Sequence, residues 1–138
     1  MIKGNSKSIK ATLSGSFHRD PEGLERDYRE LALNQCQVLS PRTLAFKDSL
    51  QPFVRHGVEE ADSVGTIQKH HLQAIALSDF LWVHAPDGYI GVSTAMEIGY
   101  AYGQGIPIFV ATDVEDEMIN SFLTKVPSVF AAIEEIAS

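Results

Sequence analysis

The chain has 138 residues, 44% of them hydrophobic, and a formal net charge of −7. This length and composition suit one globular domain over residues 1–138 with a single apolar core. The negative charge argues against binding of a nucleic-acid polymer, which requires clustered Lys and Arg. The single cysteine, Cys36, fits a reducing cytoplasm, and no apolar run approaches the roughly 20 residues that span a bilayer. We therefore expect a cytoplasmic protein that does not contact membranes.

The first third of the chain predicts a strand, a helix and a second strand. Apolar residues alternate over 9–13, and the following "SGS" predicts a turn. A helix should begin at Pro21, with Asp20 as its cap, because apolar residues then recur at helical spacing. A short strand near 37–39 should end before Pro41.

The middle of the chain begins with a segment that lacks periodicity. Residues 42–66 have the composition of an exposed, mobile loop, and long loops in small domains are often functional. A helix is expected around 67–77, followed by "FLWVHAP", a continuous apolar run typical of a strand that is buried on both faces. The next helix should begin near Ser93 or Thr94 and end at Gly105.

The last third predicts two more strands and a closing helix. "PIFVAT" suits a buried strand, "FLTKVP" suits a final strand, and Ser128 suits the cap of the last helix. Alternating strands and helices predict a single-domain, Rossmann-like (flavodoxin-like) α/β fold, in which a parallel sheet of about five strands carries helices on both faces. In such sheets ligands bind beyond the carboxyl ends of the strands. "LSGSFHRD" and "HAPDGYIGVST" both follow strands, so we expect a ligand cleft between them.

One carboxylate stands out in the apolar stretch "GVSTAMEIGYAYGQGIPIFV", residues 91–110. This is Glu97, in what the pattern predicts to be the first turn of a helix, where an acid often only stabilises the helix end. Its apolar neighbours leave no evident solvated face, and Gly99 and Gly103 suggest close backbone packing. A buried charge is costly unless it is paired or used, so a functional role explains Glu97 better.

Residues 91–110 resemble the signature of the nucleoside 2-deoxyribosyltransferases and their relatives, the 2′-deoxynucleoside 5′-monophosphate N-glycosidases and CMP-type hydrolases. That signature is a Gly-rich turn, a short helix start, a catalytic glutamate, and then an apolar residue, Gly and Ala. Weaker similarity extends through "LSGSFHRD" and "IALSDFLWVHAP". The resemblance implies that Glu97 attacks the anomeric carbon of a nucleoside or nucleotide sugar, displaces the base and forms a covalent glycosyl-enzyme.

The resemblance also implies a second acidic group, which protonates the departing base or positions the sugar hydroxyls. Asp79 matches the acidic residue that the family carries before the strand, although a structural role at the strand start explains it equally well. Asp87 is the alternative acid, although "PDG" is equally a turn signal.

The turn "SGSFHR" resembles the phosphate-side turn of the monophosphate hydrolases. Its amides, hydroxyls and guanidinium would hold a 5′-phosphate, although an ordinary strand-to-helix turn would leave the same pattern. The adjacent His70 and His71 point different ways on a helix, so we expect no metal and no cofactor. The implied substrate-binding residues are Ser14, Gly15, Ser16, Phe17 and Arg19 on this turn, with Gly91, Ser93 and Thr94 opposite.

Two departures from the family bear on the reaction. Thr12 stands near the place of a tyrosine that often orients the glutamate, and Gly91 and Val92 replace an acidic residue of the transferases. Hydrolysis is therefore favoured over transfer, and a non-catalytic nucleotide-binding or sensing domain is the alternative. In the related families a neighbouring subunit completes the pocket, so the resemblance implies a homodimer or higher homo-oligomer. A monomer with Tyr100 and Tyr102 in its core is the other interpretation.

Overall fold

The structure, a computed structural model, describes residues 8–42 and 63–138 and contains one five-stranded sheet. The strands lie in the order β2-β1-β3-β4-β5, and every neighbouring pair is parallel. This confirms the predicted single-domain, Rossmann-like (flavodoxin-like) α/β fold. The strands are β1 Lys10–Ser14, β2 Gln37–Ser40, β3 Phe80–Val83, β4 Ile108–Val110 and β5 Thr124–Lys125.

The helices of the described residues are α1 Pro21–Leu33, α2 Val64–Ala76, α3 Val92–Gly103, α4 Glu117–Asn120 and α5 Val129–Ala137, and one 3-10 turn covers Pro86–Gly88. The caps predicted at Asp20 and Ser128 are confirmed, because each side chain accepts a hydrogen bond from a backbone N–H three residues on. Gly105 takes the predicted left-handed conformation after α3, with φ of 74°.

Helices cover the sheet on both faces. α1 and α5 pack on one face, against side chains such as Leu13 and Trp82. α2 and α3 pack on the other, against side chains such as Leu81 and Val83. β3 is therefore buried on both faces, as its apolar run predicted.

Strand β1 differs from β3 on its α2 face, where it carries polar side chains. Thr12 and Ser14 are both buried there, and Thr12 Oγ1 lies 2.8 Å from Ser78 Oγ at the end of α2. Thr12 thus interacts with Ser78. Ser14 instead lies at the carboxyl end of the strand, the edge at which ligands bind in parallel sheets.

The start of α3 was predicted too late in the chain. The helix begins at Val92 with Gly91 as its N-cap, since glycine serves as a cap without a side-chain hydrogen bond. Glu97 is therefore the sixth residue of α3 and lies in the second turn. The predicted first-turn position is wrong, and the helix dipole stabilises its charge less than expected.

The predicted loop at 42–66 was too long at its carboxyl end. Residues 43–62 lie outside the described residues, but Val64 to Thr66 already belong to α2 because Ser63 caps that helix through a 3.1 Å hydrogen bond from the Thr66 N–H. The short helix α4 was not predicted, because one turn of helix shows no periodicity.

The outer side of α3 is solvent-exposed, which contradicts the expectation of a helix without a solvated face. Met96 is 49% exposed and Tyr102 is 61% exposed. A Cβ added at Gly99 or Gly103 would meet no atom within 4 Å among the described residues, so these glycines do not serve close packing within the chain. α3 is amphipathic, and Glu97 lies on its buried side.

A substitution of Gly23, in the first turn of α1, tests the packing of this helix against His84, the residue that follows β3. Glycine-to-alanine changes in helices usually stabilise by about 1 kcal/mol. Here a Cβ would overlap Asp20 Oδ2 and lie 2.7 Å from His84 Nε2, which would disrupt the hydrogen bonds of both residues. We expect Gly23→Ala to lower the free energy of unfolding by about 1–3 kcal/mol in urea denaturation.

The matched control is Gly65→Ala in the first turn of α2, where no atom of the described residues lies within 4 Å of the added Cβ. Its stability should stay equal to the wild type or rise by up to about 1 kcal/mol. A Gly23→Ala protein as stable as Gly65→Ala would contradict the described packing.

Candidate active site

A pocket of about 330 Å³ opens at the carboxyl ends of β1 and β3. These strands flank the topological switch point, because the chain leaves β1 for β2 on one side and later returns to β3 on the other. Its walls are the turn after β1, the amino-terminal part of α2, and the segment that leads into α3. The structure brings seven of the predicted site residues together here: Gly15, Ser16, Phe17, Gly91, Ser93, Thr94 and Glu97.

Glu97 reaches this pocket from the buried side of α3 and is only 6% exposed. Gln68 Nε2 donates a 2.8 Å hydrogen bond to Glu97 Oε2, and His71 Nε2 lies 3.5 Å from Oε1. Burial raises the pKa of Glu97, but the electrostatic interaction with His71 and hydrogen bonds from His71, Gln68 and Ser14 outweigh it. The pKa of Glu97 is therefore below its ordinary value, and the carboxylate is ionised at neutral pH.

His71 connects Glu97 to two strands. Its Nδ1 lies 2.6 Å from Ser40 Oγ on β2, and its Nε2 lies 3.3 Å from Ser14 Oγ on β1. His71 and both serines are buried. This polar network, defined by Ser14, Ser40, His71 and Glu97, therefore joins β1, β2, α2 and α3 behind the pocket.

The network contains the residue types of a Ser-His-acid triad, yet it does not have the arrangement of one. Ser14 and Ser40 are buried, and neither lines the pocket. A serine nucleophile must reach the substrate, so the group of the network that a ligand can meet is the Glu97 carboxylate.

Sequence reasoning did not identify Gln68 and His71 as partners of Glu97. Both lie on α2, three residues apart, which places them on one side of the helix. Ser14 and Ser40 are polar residues at the ends of two predicted strands. Buried polar side chains need hydrogen-bond partners, so these serines indicated a polar partner on a neighbouring helix, but the sequence did not identify that partner.

The two carboxylates predicted to assist Glu97 lie elsewhere. Asp79 Oδ2 accepts a 2.8 Å hydrogen bond from the Lys10 backbone N–H at the amino ends of β1 and β3, the opposite edge of the sheet. Asp87 lies in the 3-10 turn with φ of 54° and lines a neighbouring cavity. The structure therefore brings neither Asp79 nor Asp87 into the Glu97 pocket.

Three residues of the predicted phosphate-side turn differ in role from the expectation. Ser14 lies behind the pocket, within the polar network. Arg19 lies with Cζ 3.8 Å from the centre of the Tyr89 ring and lines the neighbouring cavity. Gly15 does line the pocket, but a Cβ there would lie 3.0 Å from the His84 carbonyl oxygen, so packing alone requires glycine at this position.

The neighbouring cavity, of about 630 Å³, lies beside α1 and the end of β3. At its wall His84 is 11% exposed, and its Nε2 and Nδ1 lie 2.8 Å from Asp20 Oδ2 and 2.7 Å from Asp27 Oδ2. Trp82 Nε1 also donates to Asp27 Oδ2, at 2.9 Å. Burial lowers the pKa of His84, but the two carboxylates outweigh it and raise that pKa, whereas the hydrogen bond from His84 lowers the pKa of Asp20.

Within residues 8–42 and 63–138, no group of three or more His, Cys, Asp and Glu side chains is arranged to hold a metal ion. None of the helices in these ranges combines the length and the apolar character that spanning a bilayer requires. The buried Cys36 is a thiol whose pKa burial raises to about 11.

No protein-family model matches the chain, and a search of curated proteins finds no match either. The resemblance of residues 91–110 to the deoxyribosyltransferase signature therefore stays a prediction. A functional assignment depends on the chemistry of the site itself.

The His84 cluster should make stability depend on pH in a defined window. Because the pKa of His84 is raised on folding, its ionic contribution to the free energy of unfolding is complete below pH 6.5. This contribution is lost as the pH rises through the folded-state pKa. Because the pKa of Asp20 is lowered on folding, its contribution to the free energy of unfolding is complete above pH 3.8. This contribution is lost as the pH falls through the folded-state pKa. We expect His84→Gln to lower the free energy of unfolding by about 1–3 kcal/mol between about pH 4 and 6.5, and by less outside this window.

Urea denaturation at several pH values, compared with the exposed control His70→Gln, measures this difference. The control should differ from the wild type by a nearly constant amount across the range. A wild-type minus His84→Gln difference that is equally flat would contradict the ionic character of the cluster.

Proposed function

We propose that this protein cleaves the N-glycosidic bond of a nucleoside or nucleoside 5′-monophosphate, with Glu97 as the nucleophile. One observation carries the proposal: Glu97 is a buried, ionised carboxylate at the wall of a pocket at the switch point between β1 and β3. Nucleophilic carboxylates at sugar anomeric carbons need this combination of charge, limited hydration and access to the substrate.

In the proposed reaction a Glu97 oxygen attacks C1′ of the sugar. The C–N glycosidic bond breaks, and the base leaves with the bonding electron pair and takes up a proton. Water then attacks C1′ of the glycosyl-enzyme and gives one proton back to the group that protonated the base. The C1′–Glu97 oxygen bond breaks, which releases the sugar or sugar 5-phosphate and regenerates the carboxylate. The reaction is therefore a hydrolysis in which the protein supplies a covalent intermediate.

The proton for the leaving base needs a donor inside the pocket. Asp79 and Asp87 do not line it, whereas His18 does, on the turn after β1. Histidine is the side chain that exchanges protons most readily near neutral pH. We assign the proton donation to His18.

The walls of the pocket suit the two ends of a nucleoside. One side is apolar and aromatic, with residues such as Phe17, Ile67 and Tyr89, which suits a base. The other side holds Ser93, Thr94 and the first N–H groups of α3, which precede its first intrahelical hydrogen bond at the Ala95 N–H. Helix N-termini favour anions, so a 5′-phosphate would bind at this end.

A non-catalytic nucleotide-binding domain is the second candidate, and one observation favours it. Both carboxylate oxygens of Glu97 have partners within the chain, Gln68 at Oε2 and His71 at Oε1. In a binding domain Glu97 would accept a hydrogen bond from a ribose hydroxyl without forming a covalent bond. Both candidates use a cytoplasmic nucleoside or nucleotide and require no cofactor.

Measurement of free base by chromatography separates the two candidates. The wild type should release base from at least one member of a panel of ribo- and deoxyribonucleosides and their 5′-monophosphates. Glu97→Gln keeps the shape of the side chain and removes the negative charge. We expect it to lower kcat/KM by about 1000-fold or more, because the nucleophile is lost.

Asp79→Asn is the control, because Asp79 is exposed and lies at the opposite edge of the sheet. It should retain kcat/KM within about two-fold. No base release from any substrate, together with ligand-induced thermal shifts in the wild type and in Glu97→Gln, would favour the binding domain. Equal turnover by wild type and Glu97→Gln would exclude Glu97 as the nucleophile.

We also propose that two copies of the chain associate through the outer side of α3. Val92, Met96, Gly99 and Gly103 are all exposed and follow one another at intervals of three or four residues. This spacing aligns them along one side of the helix, and the two glycines leave room for a second helix. Because Val92 also lines the Glu97 pocket, a partner copy bound here would lie at the mouth of the site.

Met96→Glu should convert such a dimer into a monomer, because it places a charge in the centre of the apolar stripe. Size-exclusion chromatography with light scattering measures the mass. Leu33→Glu, at an 80% exposed position at the end of α1, is the control and should leave the mass unchanged. A wild type that is monomeric at high concentration would refute the proposed association.

A further inference from the structure

We propose that His71 is a positioning residue for Glu97, which it holds in the geometry for attack, while Ser40 holds the opposite nitrogen of the His71 ring. The inference rests on the proposed function, in which Glu97 is the nucleophile. It is carried by three distances: 2.6 Å from Ser40 Oγ to His71 Nδ1, 3.3 Å from Ser14 Oγ to Nε2, and 3.5 Å from Glu97 Oε1 to Nε2.

Glu97 favours one tautomer of His71. Its ionised carboxylate beside Nε2 can only accept, so in neutral His71 the ring hydrogen is favoured on Nε2, and Nδ1 then accepts from the Ser40 hydroxyl, which can donate or accept. In cationic His71, Nδ1–H donates to Ser40 instead, and Nε2 again carries a hydrogen. Nε2 therefore presents N–H to Ser14 and Glu97 in both protonation states.

The two oxygens of Glu97 are held differently. Oε2 accepts the 2.8 Å hydrogen bond from Gln68, which fixes the plane of the carboxylate. Oε1 lies 3.5 Å from His71 Nε2, too far for a strong hydrogen bond, so the interaction is mainly electrostatic. Of the two contacts, the one to Oε1 is the longer and weaker, so we assign the attack to this atom.

His71 also offsets the cost of burying the carboxylate. Burial alone would raise the pKa of Glu97 and leave a larger protonated, non-nucleophilic fraction. Within residues 8–42 and 63–138, the groups that face Glu97 are Gln68 and His71 from α2 and Ser14 from β1, and the titratable groups His18 and Tyr89 line the same pocket. Of the three facing groups, His71 alone is titratable, so its removal should change the ionisation of Glu97 most.

The test compares the pH dependence of kcat/KM in the wild type, His71→Gln and Ser40→Ala. The acidic limb reports protonation of Glu97, and in His71→Gln we expect it to move to higher pH by about one unit or more. Ser40→Ala keeps the imidazole and should move the limb in the same direction by less. His70→Gln, at the exposed neighbouring position, is the control and should keep the wild-type profile.

A second measurement does not depend on turnover. Titration of the side-chain carboxyl carbon of Glu97 in protein labelled with carbon-13 glutamate reports its ionisation directly, and Glu97→Gln assigns the signal. The Glu97 signal should titrate at higher pH in His71→Gln than in the wild type. Far-UV circular dichroism checks that each variant is folded, and Ser40→Ala serves in both measurements if His71→Gln does not fold.

The outcomes separate this inference from the proposed function. Base release by the wild type, with the same acidic limb in wild type, His71→Gln and Ser40→Ala, would overturn the role of His71 and leave the glycosidase in place. No base release by the wild type would overturn the proposed function. In that case an unchanged Glu97 titration in the His71 and Ser40 variants would overturn the positioning as well, whereas an upward shift would support His71 as the residue that keeps Glu97 charged.

Discussion

The buried contact between Glu97 and His71 is the constraint on which the site depends. Placing a carboxylate inside a protein costs several kcal/mol unless nearby groups compensate its charge. Here the compensation comes from Gln68 and His71 on α2 and from Ser14 on β1, and it outweighs the effect of burial. Glu97 thus stays ionised where water is scarce. The same arrangement requires α2 and α3 to pack side by side over the polar face of β1.

In the part of the chain that the structure describes, each face of the sheet carries an acid-histidine cluster. On the α2 face, His71 supports a carboxylate that reaches a pocket. On the α1 face, His84 lies between two carboxylates, and its hydrogen bonds tie the start of α1 to the end of β3. Both clusters lie near the carboxyl edge, where parallel strands end and side chains from successive loops meet. Their difference is chemical: both His84 nitrogens are used in strong hydrogen bonds, whereas the contact between His71 and Glu97 Oε1 is longer, at 3.5 Å.

The described lining of the pocket offers a ligand no cationic side chain of the Lys or Arg type. It includes one ionised carboxylate, whereas Arg19 lies across the Tyr89 ring and lines the other cavity. A phosphate here would depend on backbone N–H groups at the start of α3. Gly91, as the cap of that helix, keeps the approach to these groups free of a side chain.

The sequence by itself determined the alternation of strands and helices, the caps at Asp20 and Ser128, the left-handed Gly105, and the selection of Glu97 as an unusual carboxylate. These features depend on local periodicity and on backbone preferences of individual residues, which a sequence displays directly. Only the tertiary structure decided that His71 and Gln68, and not Asp79, accompany Glu97. Gln68 and Glu97 are 29 residues apart, and Ser14 and His71 are 57 apart. Such pairs meet because strand order and helix packing bring them together. Local sequence patterns do not specify strand order or helix packing, so they do not predict these contacts.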